Sequence, residues 1–226
     1  MRRVLPASQD MRWAIASYLH AKGEVMAAGY EHEIDWQDAV ALGKVSEEEF
    51  LRESAWVILS AGMREAVVRG IFQRVSDVMG GFRSSEYIVS RLPECREELL
   101  AVFGNRKKIE AILSIAAYVE AYKIESVRDG IKREGAAFLL QFPFMGPATS
   151  AHLAKNLGVS LAKPDRHLVR IAKHFGCDSA SSLCAEIAAI CGEKESVVDL
   201  VFWRYATLKR NYLEIFSRSR ECDAYT

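Results

Sequence analysis

Apolar residues recur at three- and four-residue intervals along nearly the whole of this 226-residue chain, whereas the two-residue alternation of half-buried strands is scarce. A chain patterned in this way buries its apolar stripes by packing helix on helix, so the expected class is all-α with many short helices. The periodicity predicts helices over residues 12–20, 36–42, 47–59, 64–78, 85–91, 95–102, 106–122, 124–141, 147–157, 166–175, 181–190 and 196–212. Gly130 and Gly135 are expected to interrupt the segment 124–141. Ser46 and Glu49 have capping-box spacing ahead of Phe50, Leu51, Ser54, Ala55 and Ile58. No repeat, low-complexity tract or long linker divides the chain.

The length suits one sizeable domain or two small lobes, and a composition that is 50% hydrophobic and 27% charged is that of an ordinary globular protein. No apolar run is long enough to span a bilayer, and Met-Arg-Arg-Val-Leu-Pro at the start lacks the apolar core of a signal peptide. The expected location is therefore cytoplasmic, with no membrane partner. Thirty basic residues balance thirty acidic ones, so whole-chain charge gives no support for nucleic-acid binding. The distribution is uneven, however. Between residues 151 and 178, Lys155, Lys163, Arg166, Arg170 and Lys173 face only Asp165 and Asp178, with His152, His167 and His174 interspersed, while the stretch from Glu24 to Glu53 is acidic. One positive face is consistent with DNA binding, although solvated helix faces produce a similar bias.

The five cysteines, Cys95, Cys177, Cys184, Cys191 and Cys222, are odd in number, which argues against a disulfide framework. Cys177, Cys184 and Cys191 repeat every seven residues, and the latter two read as small core residues on one helix face. With no Cys-x-x-Cys or His-Glu-x-x-His pattern, neither a metal nor any other cofactor is expected.

The densest cluster of signals is Phe142-Pro143-Phe144-Met145-Gly146-Pro147-Ala148-Thr149-Ser150, with Pro164-Asp165-Arg166-His167 further on, Asp165 lying seventeen positions after Ala148. Pro147 suits the first turn of a helix, and Pro164-Asp165 ahead of Leu168, Ile171, Ala172 and Phe175 reads as an extended segment ending in an N-cap. Tight-turn backbone N–H groups at a helix start bind phosphate without reading sequence.

This cluster resembles the helix-hairpin-helix DNA glycosylases, whose hairpin reads roughly Leu-Pro-Gly-x-Gly-x-Lys-Thr-Ala and is followed by Val-Asp-x-His. Ser54-Ala55-Trp56-Val57-Ile58-Leu59-Ser60-Ala61-Gly62 looks like the early family helix that ends at the DNA, and Phe103-Gly104-Asn105-Arg106-Lys107-Lys108-Ile109 looks like the family's loop and helix start that often carries Gly-x-x-x-x-Lys-Ala. The likeness covers residues from about 47 to 176. It implies a two-lobed helical fold with the active site in the cleft between lobes: residues 46–158 form a helical barrel lobe with the helix-hairpin-helix at about 137–157, residues 159–226 form a C-terminal lobe carrying the catalytic aspartate, and residues 1–45 pack with that C-terminal lobe.

The resemblance also assigns roles. Asp165 matches the catalytic aspartate, whose carboxylate stabilises positive charge on the deoxyribose, a role compatible with an N-cap. Gly146, Ala148, Thr149, His167, Arg106 and Lys107 are expected to contact DNA, with Thr149 capping the helix or meeting the DNA backbone. Phe144 stands where the first hairpin glycine belongs, so a positive φ there would strain it; it either wedges toward a base step or packs beneath the hairpin. Met63, Arg64, Trp56 and Trp36 are candidates for the base pocket or wedge, as are Tyr30 and Trp203 for stacking, and each has a plain reading as core, helix-start or surface residue. Ala148 occupies the position of the Schiff-base lysine in strand-cleaving members. Lys155 and Lys163 do not match that position and read as solvated or phosphate-facing. The implied protein is thus a monomeric, monofunctional glycosylase acting on double-stranded DNA with a modified or damaged base; the alternatives are a glycosylase/lyase with a relocated lysine and a non-catalytic lesion-recognition module.

Overall fold

The computed structural model describes residues 9–163 and 165–217. Cys222, Pro164 and the first six residues, on which sequence expectations rest, lie outside the described residues. The helices are α1 (Gln9–Ala27), α2 (Glu31–Ala39), α3 (Glu47–Ser60), α4 (Glu65–Val78), α5 (Ser85–Ser90), α6 (Leu92–Val102), α7 (Arg106–Glu134), α8 (Pro147–Asn156), α9 (Arg166–His174), α10 (Ala180–Cys191), α11 (Glu195–Leu208) and α12 (Glu214–Ser217). Short 3-10 turns cover Leu42–Lys44, Gly80–Phe82 and Gly135–Gln141, and no strand occurs among the described residues. The fold is all-α.

The chain divides into two compact units, one comprising residues up to Ala39 together with those from Ser160 onward, the other Val40–Val159. In the first unit α1 presents Met11, Ala14, Tyr18, Ala21 and Val25 as a single apolar stripe at helical spacing. That stripe shares a core with Val197, Val198, Val201, Phe202 and Tyr205 of α11, where Tyr18 meets Phe202 edge-on at 5.6 Å. Leu168, Ile171 and Ala172 of α9 and Leu183, Cys184 and Ile187 of α10 complete it. Cys184 is buried, Cys177 and Cys191 pack against the same core, and all three are free thiols.

The second unit is organised around α3 and α7. Phe50, Leu51, Ala55, Ile58 and Leu59 of α3 are buried with Ile109, Ile112, Leu113, Ala116 and Val119 of α7. The capping box at Ser46 and Glu49 is formed, with Glu49 N–H donating to Ser46 Oγ at 3.1 Å and Ser46 N–H to Glu49 Oε2 at 2.8 Å. Gly158 closes α8 at φ 88°, and a Cβ there would lie 2.8 Å from the backbone of Val40 and Ala41, so only glycine permits this approach.

Several boundaries differ from the periodicity. The first helix extends to Ala27, because the stripe continues through Ala21 and Val25. The second is Glu31–Ala39 rather than 36–42; it buries only Ile34 and Gln37, too little pattern to fix its register. Gly130 does not break α7, and Phe138 occupies the space a side chain would fill there; the kink at Lys123 (φ 63°) falls at the expected boundary between 122 and 124, and the helix ends at Gly135, as expected. The last long helix stops at Leu208, not 212, and a turn leads to α12.

Candidate active site

Asp165 has an extended backbone (φ −86°, ψ 170°) and caps α9: its Oδ1 accepts from the N–H of His167 at 2.8 Å and of Leu168 at 2.9 Å. The carboxylate is thereby fixed in orientation through one oxygen, with the positive helix end beside it, while the other oxygen, Oδ2, is left without a hydrogen-bond partner among the described residues. The approach to Asp165 is also held. Asp199 of α11, 1% exposed, accepts from the Lys163 N–H at 2.8 Å, and the Asp165 N–H donates to Lys163 O at 2.8 Å. Asp199 was not singled out from sequence, yet a carboxylate inside Val197-Val198-Asp199-Leu200-Val201 was a visible signal, since a polar residue in an apolar helical run must find a buried partner.

The His167 ring does not bond the Asp165 carboxylate. It stands edge-on to Tyr212 at 5.2 Å, its Nε2 accepts from Arg166 Nε at 3.3 Å, and burial pushes its pKa down from the usual histidine value. The outward face of α9 carries Arg166, Val169, Arg170 and Lys173, all exposed, and the three cations make no ion pair among the described residues. Such a face suits polyanion binding beside Asp165.

In the other unit the hairpin is a turn with Pro143 at its second position, Phe144 at its third and Met145 N–H donating to Phe142 O at 3.2 Å. Phe144 has φ 68°, the positive value a type II turn demands at that position and usually obtains from glycine. Phe142 and Met145 are buried, Phe142 against Tyr118, Phe50 and Phe138, whereas Phe144 points outward with 39% exposure. It does not pack beneath the hairpin. Gly146 then caps α8 with no side-chain bond, and Pro147 takes its first position. The N–H groups of Gly146, Ala148 and Thr149 have no partner among the described residues. Of the two roles expected for Thr149, the helix cap is not formed, because the turn delivers Gly146 to the cap position. A Cβ on Gly146 would meet open space, so a glycine there matters only for what approaches from outside.

Lys108 ties this region together and was also missed, being indistinguishable in sequence from the neighbouring Arg106 and Lys107. It is 3% exposed, and its Nζ donates to Leu59 O at 2.6 Å and Ala61 O at 2.7 Å, the carbonyls that end α3. The same ammonium lies 5.5 Å from the Phe144 ring centre and 5.8 Å from that of Phe103. Burial pushes its pKa below the usual lysine range. One cation thus joins the end of α3, the loop before α7 and the hairpin. Arg106, Lys107, Pro143 and Phe144 line a shared groove of about 580 Å³.

Met63 and Arg64 follow the carbonyls held by Lys108 and are exposed, Arg64 at the start of α4 without a side-chain cap bond. Trp56 lies edge-on to Phe72 at 5.1 Å and beneath Arg69, and Trp36 is exposed on α2. The Tyr30 and Trp203 rings both flank the Arg204 guanidinium, at 4.4 and 4.7 Å, which in turn donates to Glu33. Lys155 is not solvated: it is buried on α8, as are its neighbours Leu153, Ala154 and Asn156. Among the described residues no three His, Cys, Asp or Glu side chains gather as metal ligands, and no helix is long and apolar enough to cross a membrane.

No family model matches the chain, and no curated protein does. Two solved structures are similar to it. The 8-oxoguanine DNA glycosylase of Thermotoga maritima is 19% identical with a TM-score of 0.62, the match covering 88% of this chain and 98% of that one. The 8-oxoguanine glycosylase/lyase of Methanocaldococcus jannaschii, solved in complex with a 15mer DNA containing 8-oxoguanine, is 21% identical with a TM-score of 0.54, covering 84% and 97%. At low sequence identity, the chain has the all-α fold of the 8-oxoguanine DNA glycosylases.

Proposed function

We propose that this protein is a monofunctional DNA glycosylase that flips a damaged or modified base out of double-stranded DNA and excises it by hydrolysis, leaving an abasic site. The observation that carries the reading is Asp165, a carboxylate oriented through one oxygen and open at the other, in a chain with a glycosylase fold. As the N-glycosidic bond breaks, its electron pair leaves with the base and positive charge grows on the deoxyribose; the open Asp165 oxygen stabilises that charge. Water adds to C1′ and gives its proton to the carboxylate. The free N–H groups of Gly146, Ala148 and Thr149 bind a backbone phosphate, and exposed cations in each unit, Arg166, Arg170 and Lys173 in one and Arg106 and Lys107 in the other, meet phosphates without reading sequence.

Ala148 favours hydrolysis over lyase chemistry. It provides no amine for a Schiff base; of the two buried lysines described in this unit, Lys108 is committed to two carbonyls and Lys155 on α8 is also engaged. The two similar solved structures are of 8-oxoguanine glycosylases, which makes 8-oxoguanine the first base to try. The test is a panel of duplexes carrying oxidised, alkylated, deaminated and bulky pyrimidine modifications, scored with and without alkali. Strand breaks that appear only after alkali support the proposal. Breaks without alkali, or no abasic product from any duplex, would refute it.

A further inference from the structure

We propose that the groove between the hairpin tip and the start of α7 seats one unstacked nucleotide of the DNA, its base on the Phe144 ring and its phosphates on Arg106 and Lys107. The inference rests on the DNA-binding part of the reading above and not on excision.

The groove is open toward solvent rather than enclosed, so what it seats stays attached to a strand outside it. Its lining is mostly apolar, with Pro143, Phe144 and Ala111 beside the cations Arg106 and Lys107. Arg106 and Lys107 are exposed and have no ion-pair partner among the described residues. Glu110, the acid on the wall, does not neutralise them because Arg96 holds it at 2.8 Å.

Phe144 is the informative residue. The turn needs a positive φ at that position, for which glycine is free of strain, and the buried Phe142 and Met145 already anchor the turn. A large aromatic is therefore unnecessary for packing. It stands instead with 39% exposure on the groove, steadied by Lys108 at 5.5 Å. An aromatic face in an apolar lining beside cations is how proteins hold single-stranded nucleic acid, through stacking that tolerates any base and charge that meets the phosphate. Bases of an intact duplex stay stacked on one another, so the seat takes a nucleotide that has left the stack.

The experiment uses undamaged DNA and the full chain carrying Asp165→Asn, so that excision plays no part. Affinity and 2-aminopurine fluorescence are measured for a duplex with a single bulged 2-aminopurine and for the same duplex fully paired. The expected result is at least about fivefold tighter binding of the bulged duplex, the lower end of what one stacked base contributes, with quenching of the bulged base on binding. Phe144→Leu, which keeps apolar bulk without an aromatic face, loses both the preference and the quenching, whereas Phe144→Trp keeps them. Equal affinity for the two duplexes, an unquenched bulged base in the complex, or full preference in Phe144→Leu would each overturn the proposal. The first two outcomes need no variant at position 144, so misfolding of the leucine protein leaves the test intact. A chain that prefers the bulge yet excises nothing would retain this inference and lose the glycosylase reading.

Discussion

Replacing Lys108 by methionine tests whether the buried cation holds the end of α3, the loop before α7 and the hairpin together. The substitution keeps an unbranched side chain of similar reach and deletes the ammonium, with its bonds to Leu59 O at 2.6 Å and Ala61 O at 2.7 Å. Each hydrogen bond from a charged donor contributes about 1.5–3 kcal/mol. Two would give about twice that, but taking the ammonium out of water offsets part of the gain, as its lowered pKa indicates. Methionine is relieved of that cost yet leaves the carbonyl of fully buried Leu59 without its partner. The balance is a loss of about 2–4 kcal/mol. In a protein of this size that corresponds to a fall in Tm of about 5–15 °C. Thermal and urea denaturation followed by far-UV circular dichroism measure it. A Lys108→Met protein within about 0.5 kcal/mol of the parent, the range of an ordinary surface change, would show that water serves these carbonyls equally well and that the lysine organises nothing.

With Ala148 at the lyase position, borohydride traps no covalent complex between the parent protein and DNA; a trapped adduct would require an amine nucleophile that the account does not supply. Gly130→Ala sets helix propensity against overpacking: a Cβ would lie 2.1 Å from the Phe138 ring, so a loss of about 1–3 kcal/mol is expected in urea denaturation in place of the usual gain, and a more stable variant would contradict the packing argument. Burial raises the pKa of Glu53 above 4.5, although Asn156 donates to its carboxylate at 2.9 Å. The folded state therefore favours protonated Glu53, and that favour is complete below the unfolded pKa and is lost as pH rises through the folded value. Tm measured from pH 4 upward should show Glu53→Gln gaining on the parent with increasing pH; a constant difference would refute this.

The sequence carried the helical class because long stripes such as Met11, Ala14, Tyr18, Ala21 and Val25 leave little choice of secondary structure. It carried the hairpin and Asp165 because turns and caps are written in local chemistry: proline at the second turn position, aspartate before an apolar helix. Positions set by distant partners were less visible. Gly130 reads locally as a breaker and is in fact the space for Phe138, eight residues on. Lys108 sits among look-alike basic residues, and its partners Leu59 and Ala61 lie 49 and 47 positions away. Tyr30 and Trp203, plausible stacking surfaces in sequence, are drawn together by Arg204. Asp199 lay between these cases, since its apolar neighbours announced burial but not that its partner would be the backbone two residues before Asp165.

The most direct test of the account is single-turnover excision of a confirmed substrate by the Asp165→Asn protein. Asparagine keeps the shape and can still accept the bonds from His167 and Leu168, so α9 stays capped and DNA affinity stays within a few-fold of the parent, while the charge that stabilises the sugar cation is gone. The account predicts that excision falls by at least about 100-fold. Undiminished excision by Asp165→Asn would contradict it.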